Sequence, residues 1–185
     1  MKPAINLPNL ITLARIVLTP VMVIFVLDKK LDYAFAIFVI AGISDGLDGL
    51  LARILKQKTK TGAILDPIAD KLLLNSAYAT LVAIGDIPNY LAVLVISRDV
   101  IIIMGILLIF LFHKGIEIKP TLLGKTTTLF QLGTIFLVFT GHFVKLPSSI
   151  LSASYILTAA LTVLSGLHYM TLGISSIGNG DNPSA

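Results

Sequence analysis

The stretch SDGLDGLLARILKQKTKTGAILDPIADK, residues 44–71, decides how this chain is read. It sets Asp45, Asp48, Asp66 and Asp70 in the pattern D-x2-D-G-x2-A-R-x8-G-x3-D-x3-D, with Gly49, Ala52, Arg53 and Gly62 at the other defined positions. On both sides of it the chain runs in long apolar segments. A bilayer tolerates acids poorly: one Asp at a helix centre costs about 2.5–3.5 kcal/mol, so four uncompensated ones cost on the order of 10 kcal/mol. A bound divalent cation is the simplest compensation.

Working outward, the 185 residues are 56% hydrophobic and 13% charged. A soluble globular domain has about twice that charged share. The apolar excess falls in six segments, at about 12–27, 33–55, 66–84, 90–112, 126–143 and 149–172, the first led in by an amphipathic stretch at 5–11. Each is near the ~20 residues that cross a ~30 Å hydrocarbon core as helix. Open strands would leave backbone groups unsatisfied in lipid. The expected fold is therefore an all-α membrane protein of six transmembrane helices with a short N-terminal amphipathic helix. Residues 1–177 read as one integral membrane domain and 178–185, GNGDNPSA, as a disordered polar tail. Asp28-Lys29-Lys30 follows the first apolar run in place of a small-x-small cleavage site, so that run reads as a retained helix. With no cysteine there is neither a disulfide framework nor a thiolate metal site. The net charge of +4 points to cytoplasmic loops and anionic headgroups before nucleic acid.

An even number of spans puts both termini on one side. That side carries Lys2, Arg53, Lys56, Lys58, Lys60, Lys114, Lys119 and Lys125, against Lys29, Lys30 and Lys145 on the other. The positive-inside rule makes the richer side cytoplasmic, so the acidic motif opens to the cytoplasm. In a bacterial-type cell the membrane is the inner one.

Asp45 and Asp48 are i,i+3 on the second helix, and Asp66 and Asp70 are i,i+4 on the third, so each pair shares a helix face. The short connection lets the two helices pack antiparallel with the pairs facing. Pro67 fits the first turn of the third helix, with Asp66 as a possible cap. Four carboxylates make a hard oxygen cage suited to Mg²⁺, Mn²⁺ or Ca²⁺. Two divalent ions balance four negative charges, an arrangement that recurs in phosphoryl displacement. Gly49, Ala52 and Gly62 leave room beside the cage for a flat or polyphosphate group. Arg53, one turn past Gly49, can hold a pair of phosphate oxygens.

This pattern resembles the signature of the CDP-alcohol phosphotransferase family, with all eight positions matched, and the likeness extends over most of the chain. The resemblance implies transfer of a phosphatidyl group from CDP-diacylglycerol to an alcohol with release of CMP, using two Mg²⁺ or Mn²⁺ ions. It implies metal ligands at Asp45, Asp48, Asp66 and Asp70, with Asp70 also the base for the acceptor hydroxyl. It assigns Gly49, Ala52 and Gly62 to the cytidine pocket, with Asp48 also contacting the donor, and Arg53 to the donor phosphates. The opening residues 6–15, NLPNLITLAR, are similar to those of phosphatidylglycerophosphate synthases and of this family's cardiolipin synthases, where Asn9 and Thr12 line the nucleotide's way in.

Further along, Ser97-Arg98-Asp99 lies in an apolar helix and Gly124-Lys125-Thr126 follows Lys119-Pro120-Thr121. A cation in the core needs a partner. Arg98 and Lys125 are expected to bind an anionic acceptor, glycerol 3-phosphate by preference and phosphatidylglycerol as the alternative. The bland alternative for Arg98 and Asp99 is a charged spot paired to other helices. Small polar residues from Ser152 to Thr171 point to helix packing or a homodimer face on the sixth helix. The competing class is a cation transporter with intramembrane carboxylates. Against it, the acids sit at one membrane end and no broken half-helices occur in symmetric positions.

Overall fold

The computed structural model describes residues 7–54, 60–112 and 121–179, and within these the side chains at all but 7–8, 45–54, 60–64, 106–112 and 174–179. Among the described residues there are six helices and no strand: α1 (Leu7–Leu27), α2 (Leu31–Ile54), α3 (Lys60–Ala83), α4 (Asn89–Phe112), α5 (Leu122–Gly141) and α6 (Ser148–Asn179). Asn9–Leu27, Leu122–Gly141 and Ser148–Gly173 are long and apolar enough to cross a membrane, and Leu31–Ser44 is a shorter apolar helix. Charges interrupt α3 at Asp66, Asp70 and Lys71, and α4 at Arg98 and Asp99.

Three boundaries differ from the sequence reading. From Leu7 onward the amphipathic lead-in is the first turn of α1 and not a separate helix. Pro8 is accommodated there because the first turn has no N–H partner to lose. α3 starts at Lys60, so Asp66 lies inside the helix and is not its cap, and Pro67 is internal. α6 carries on through Gly178 and Asn179, and the remainder of the expected tail lies outside the described residues.

The chain forms two compact units, Met1–Ile87 and Pro88–Ala185. In the first, α1 packs along both α2 and α3, while α2 and α3 meet only slightly. The buried faces explain this. Ala34, Phe38 and Ala41 on α2 and Ala69, Leu73, Ala77 and Leu81 on α3 are buried, together with Met22 and Val26 on α1. Small residues at i,i+7 and i,i+8 let backbones approach closely where lipid supplies no hydrophobic drive between helices. Phe25 stacks on Tyr33 across the α1–α2 turn, with centroids 5.4 Å apart. Among the described residues α1 is the neighbour that α2 and α3 share, and the expected meeting of the Asp45–Asp48 pair with Asp66 and Asp70 lies outside them.

α1 shows the inverted amphipathicity of a membrane helix. Thr12, Arg15 and Thr19 are buried, while Leu10, Leu13, Val17, Ile24 and Leu27 are exposed. The same inversion marks the second unit, where α6 packs on both α4 and α5. Thr127, Gln131 and Thr134 on α5 and Thr158, Thr162 and Ser165 on α6 are buried. They join across the seam: Gln131 Nε2 donates to Thr162 Oγ1 at 3.1 Å, and the Thr134 and Thr158 hydroxyls are 2.7 Å apart. Such interhelical bonds average about 0.6 kcal/mol each in membranes. Thr158, Thr162 and Ser165 of α6 therefore serve core contacts within the second unit.

Two helices end in the same way. Beyond α3, Gly85 has φ 86°, its N–H bonds Val82 O at 3.0 Å, and Asp86 N bonds Leu81 O at 2.9 Å. Beyond α1, Lys29 (φ 58°) and Lys30 make the equivalent bonds to Val26 O and Phe25 O. This left-handed cap suits glycine and strains a side-chain-bearing residue. Lys29→Gly is expected to stabilise the protein by about 0.5–1 kcal/mol, read as a higher melting temperature in detergent. A lower one would show that the lysine side chain contributes more than its backbone strain costs.

Candidate functional site

Asp66 and Asp70 sit one turn apart on α3, and α1 supplies their partners. Thr12 Oγ1 donates to Asp66 Oδ1 at 2.6 Å, and Arg15 Nη1 donates to Asp70 Oδ1 in an ion pair. Thr12 and Arg15 are i,i+3 on α1, the spacing that meets i,i+4 on the facing helix. Arg15 is 1% exposed and the Asp70 side chain 47% exposed, so the cation is inside and the carboxylate opens outward. Asp66 is half-buried, and Lys71 follows Asp70 in the same turn.

Asp45, Asp48, Gly49, Ala52 and Arg53 fall on the last three turns of α2, and Gly62 on the first turn of α3. Their side chains lie outside the described residues, as do the loop cations Lys56 and Lys58. Asn9 stands one turn before Thr12 on α1. The hard, oxygen-only donor set of Asp66 and Asp70, with Asp70 opening outward, fits a hard divalent cation.

Arg15 was not among the residues singled out from sequence. Its signal was present: a guanidinium within the first apolar segment must have a partner, and an acid is the obvious one. What sequence did not supply was which of the acids α1 would meet.

The second unit holds Arg98 and Lys125. Arg98 is 6% exposed; its Nη1 donates to Asp99 Oδ1 at 2.8 Å and its Nη2 to Ser165 Oγ at 3.0 Å. Its guanidinium carbon stands 5.7 Å from the centre of the Tyr169 ring. The Tyr169 hydroxyl in turn accepts from Thr121 N at 3.1 Å, fixing the N-terminus of α5, which Thr121 caps by accepting from Gly124 N. Gly124 is required for that closeness, since a Cβ there would stand 2.7 Å from the Tyr169 hydroxyl oxygen. Arg98 thus joins α4 to α6. Lys125, exposed in the first turn of α5, keeps its surface access.

Fold and site together define a helical membrane protein with a carboxylate pair on α3 held by polar groups of α1. Residues 5–167 match the family of CDP-alcohol phosphatidyltransferases, and the chain belongs to that family. It is an integral membrane enzyme of that class. It is 34% identical over 182 residues to a probable phosphatidylglycerophosphate synthase of Mycobacterium tuberculosis, covering 94% of this chain and 84% of the relative. It is 31% identical over 183 residues to the CDP-diacylglycerol–glycerol-3-phosphate 3-phosphatidyltransferase of Aquifex aeolicus, covering 93% and 98%. It is 33% identical over 143 residues to the CMP-forming cardiolipin synthase of Rattus norvegicus, covering 69% and 47%.

Proposed function

We propose that the enzyme transfers a phosphatidyl group from CDP-diacylglycerol to glycerol 3-phosphate, with residues 1–177 acting as one catalytic domain. The observation that carries this acceptor is the near end-to-end match to a relative named for glycerol 3-phosphate, 98% of its length, where the cardiolipin synthase is matched over 47%.

In this reading the acceptor hydroxyl oxygen bonds to the phosphatidyl phosphorus as the anhydride bond to CMP breaks. CMP leaves with the bridging oxygen, and Asp70 takes the hydroxyl proton. Asp45, Asp48, Asp66 and Asp70 hold two Mg²⁺ or Mn²⁺ ions, which supply charge stabilisation to the pyrophosphate. Arg53 grips the donor phosphates, and Asn9, Thr12, Asp48, Gly49, Ala52 and Gly62 shape the nucleotide pocket. Lys125 attracts the acceptor's phosphate. Arg98, already engaged with Asp99 and Ser165, supports that region by holding α4 to α6. The active site faces the cytoplasm, in keeping with the basic loops around the motif.

The test is incubation of purified protein with labelled CDP-diacylglycerol, Mg²⁺ and a panel of alcohols, with products identified by mass. CMP and phosphatidylglycerophosphate are expected with glycerol 3-phosphate. Turnover with phosphatidylglycerol alone, giving cardiolipin, would overturn the acceptor. No CMP with any alcohol would overturn the reaction.

A further inference from the structure

α1 places two polar side chains against the acids of α3, and their arrangement goes beyond filling a need for partners. Thr19, Thr80 and Thr140 bond carbonyls of their own helices, of Arg15, Ser76 and Phe136 respectively. That is the ordinary way for a threonine in an apolar helix to satisfy its hydroxyl. Thr12 reaches across to Asp66 Oδ1. Arg15, fully buried, does the same to Asp70 Oδ1. Each acid therefore accepts at Oδ1 from a donor on the same neighbouring helix.

A carboxylate held at one oxygen loses free rotation about χ2, so the direction of its second oxygen is set. Two carboxylates one turn apart also repel, and a hydroxyl and a guanidinium beside them offset that repulsion before any ion arrives. Carboxylates that ligate metals are commonly oriented in this way by neighbouring donors, and losing such a donor typically weakens metal affinity 10–100-fold. We propose that Thr12 and Arg15 are positioning residues that hold Asp66 and Asp70 ready for divalent cations. The proposal rests on the reading that these two acids bind metal.

The test is Mn²⁺ binding to the purified full-length protein in detergent, without nucleotide, followed by the EPR signal of free Mn²⁺. Thr12→Val keeps the shape and removes the hydroxyl, and is expected to raise the Mn²⁺ dissociation constant about tenfold or more, with Thr12→Ser restoring it. Arg15→Gln is expected to weaken binding to a similar degree. Thermal melts establish which variants are folded, and Thr12→Val with its serine rescue decides the matter if Arg15→Gln is not. Wild-type Mn²⁺ affinity in folded Thr12→Val, with only the KM for CDP-diacylglycerol raised, would leave Thr12 with its nucleotide-pocket role alone and overturn its positioning role. Unchanged or tighter binding in folded Arg15→Gln would overturn that of Arg15. Failure of the metal reading looks different: the wild type would take up no Mn²⁺, or Asp66→Asn and Asp70→Asn would bind it as the wild type does.

Discussion

Asp70→Asn is expected to slow release of CMP from CDP-diacylglycerol by about 10²–10⁴-fold, the range for losing a general base. The amide is nearly isosteric and can still accept from Arg15, so the α1–α3 contact survives and the protein still inserts. The amide carries no negative charge and takes up no proton at neutral pH, so it fails both as a base and as a strong ligand for a hard cation. Asp66→Asn should be similarly inactive through loss of the ligand alone, while its amide oxygen still accepts from Thr12. The check is CMP release by membranes containing equal amounts of each variant. Turnover near the wild-type rate in either would defeat the roles assigned to this pair.

Arg98→Met is expected to destabilise the second unit by about 3–5 kcal/mol, the usual result of removing one partner from a buried pair. Arg98 and Asp99 are both buried, at 6% and 1% exposure, and Arg98 also holds Ser165 and lies against Tyr169. The single change leaves the Asp99 carboxylate in the interior without its guanidinium neighbour. Converting both residues, Arg98→Met with Asp99→Asn, removes the two charges together and should recover a large part of the loss. Denaturant titration in mixed micelles reads the cycle. A stable Arg98→Met protein with a raised KM for the acceptor would return Arg98 to the acceptor site.

Much of this was legible along the chain. Six apolar segments of membrane-spanning length became six helices, with starts and ends shifted by no more than a turn or two. The four acids, with their glycines and Arg53, stood out because carboxylates are so costly in an apolar segment. Their pairing by i,i+3 and i,i+4 spacing needed only helical periodicity. The pairing of Asp70 with Arg15 and of Asp66 with Thr12, across 55 and 54 residues, did not follow from it. Nor did the partnership of Arg98 with Ser165, 67 residues away.

Composition and local spacing by themselves determined that this is a helical membrane protein with an acidic site, because bilayer thickness and the cost of buried charge act on each segment separately. Tertiary structure alone decided that α1 is the common neighbour of α2 and α3, that Arg15 and Thr12 grip the α3 acids, and that Arg98 clasps α4 to α6. In lipid, where apolar surface is as well solvated outside the bundle as within it, helices choose neighbours by close fit of small residues and by hydrogen bonds between distant side chains. Those matches exist only once the segments have been brought together.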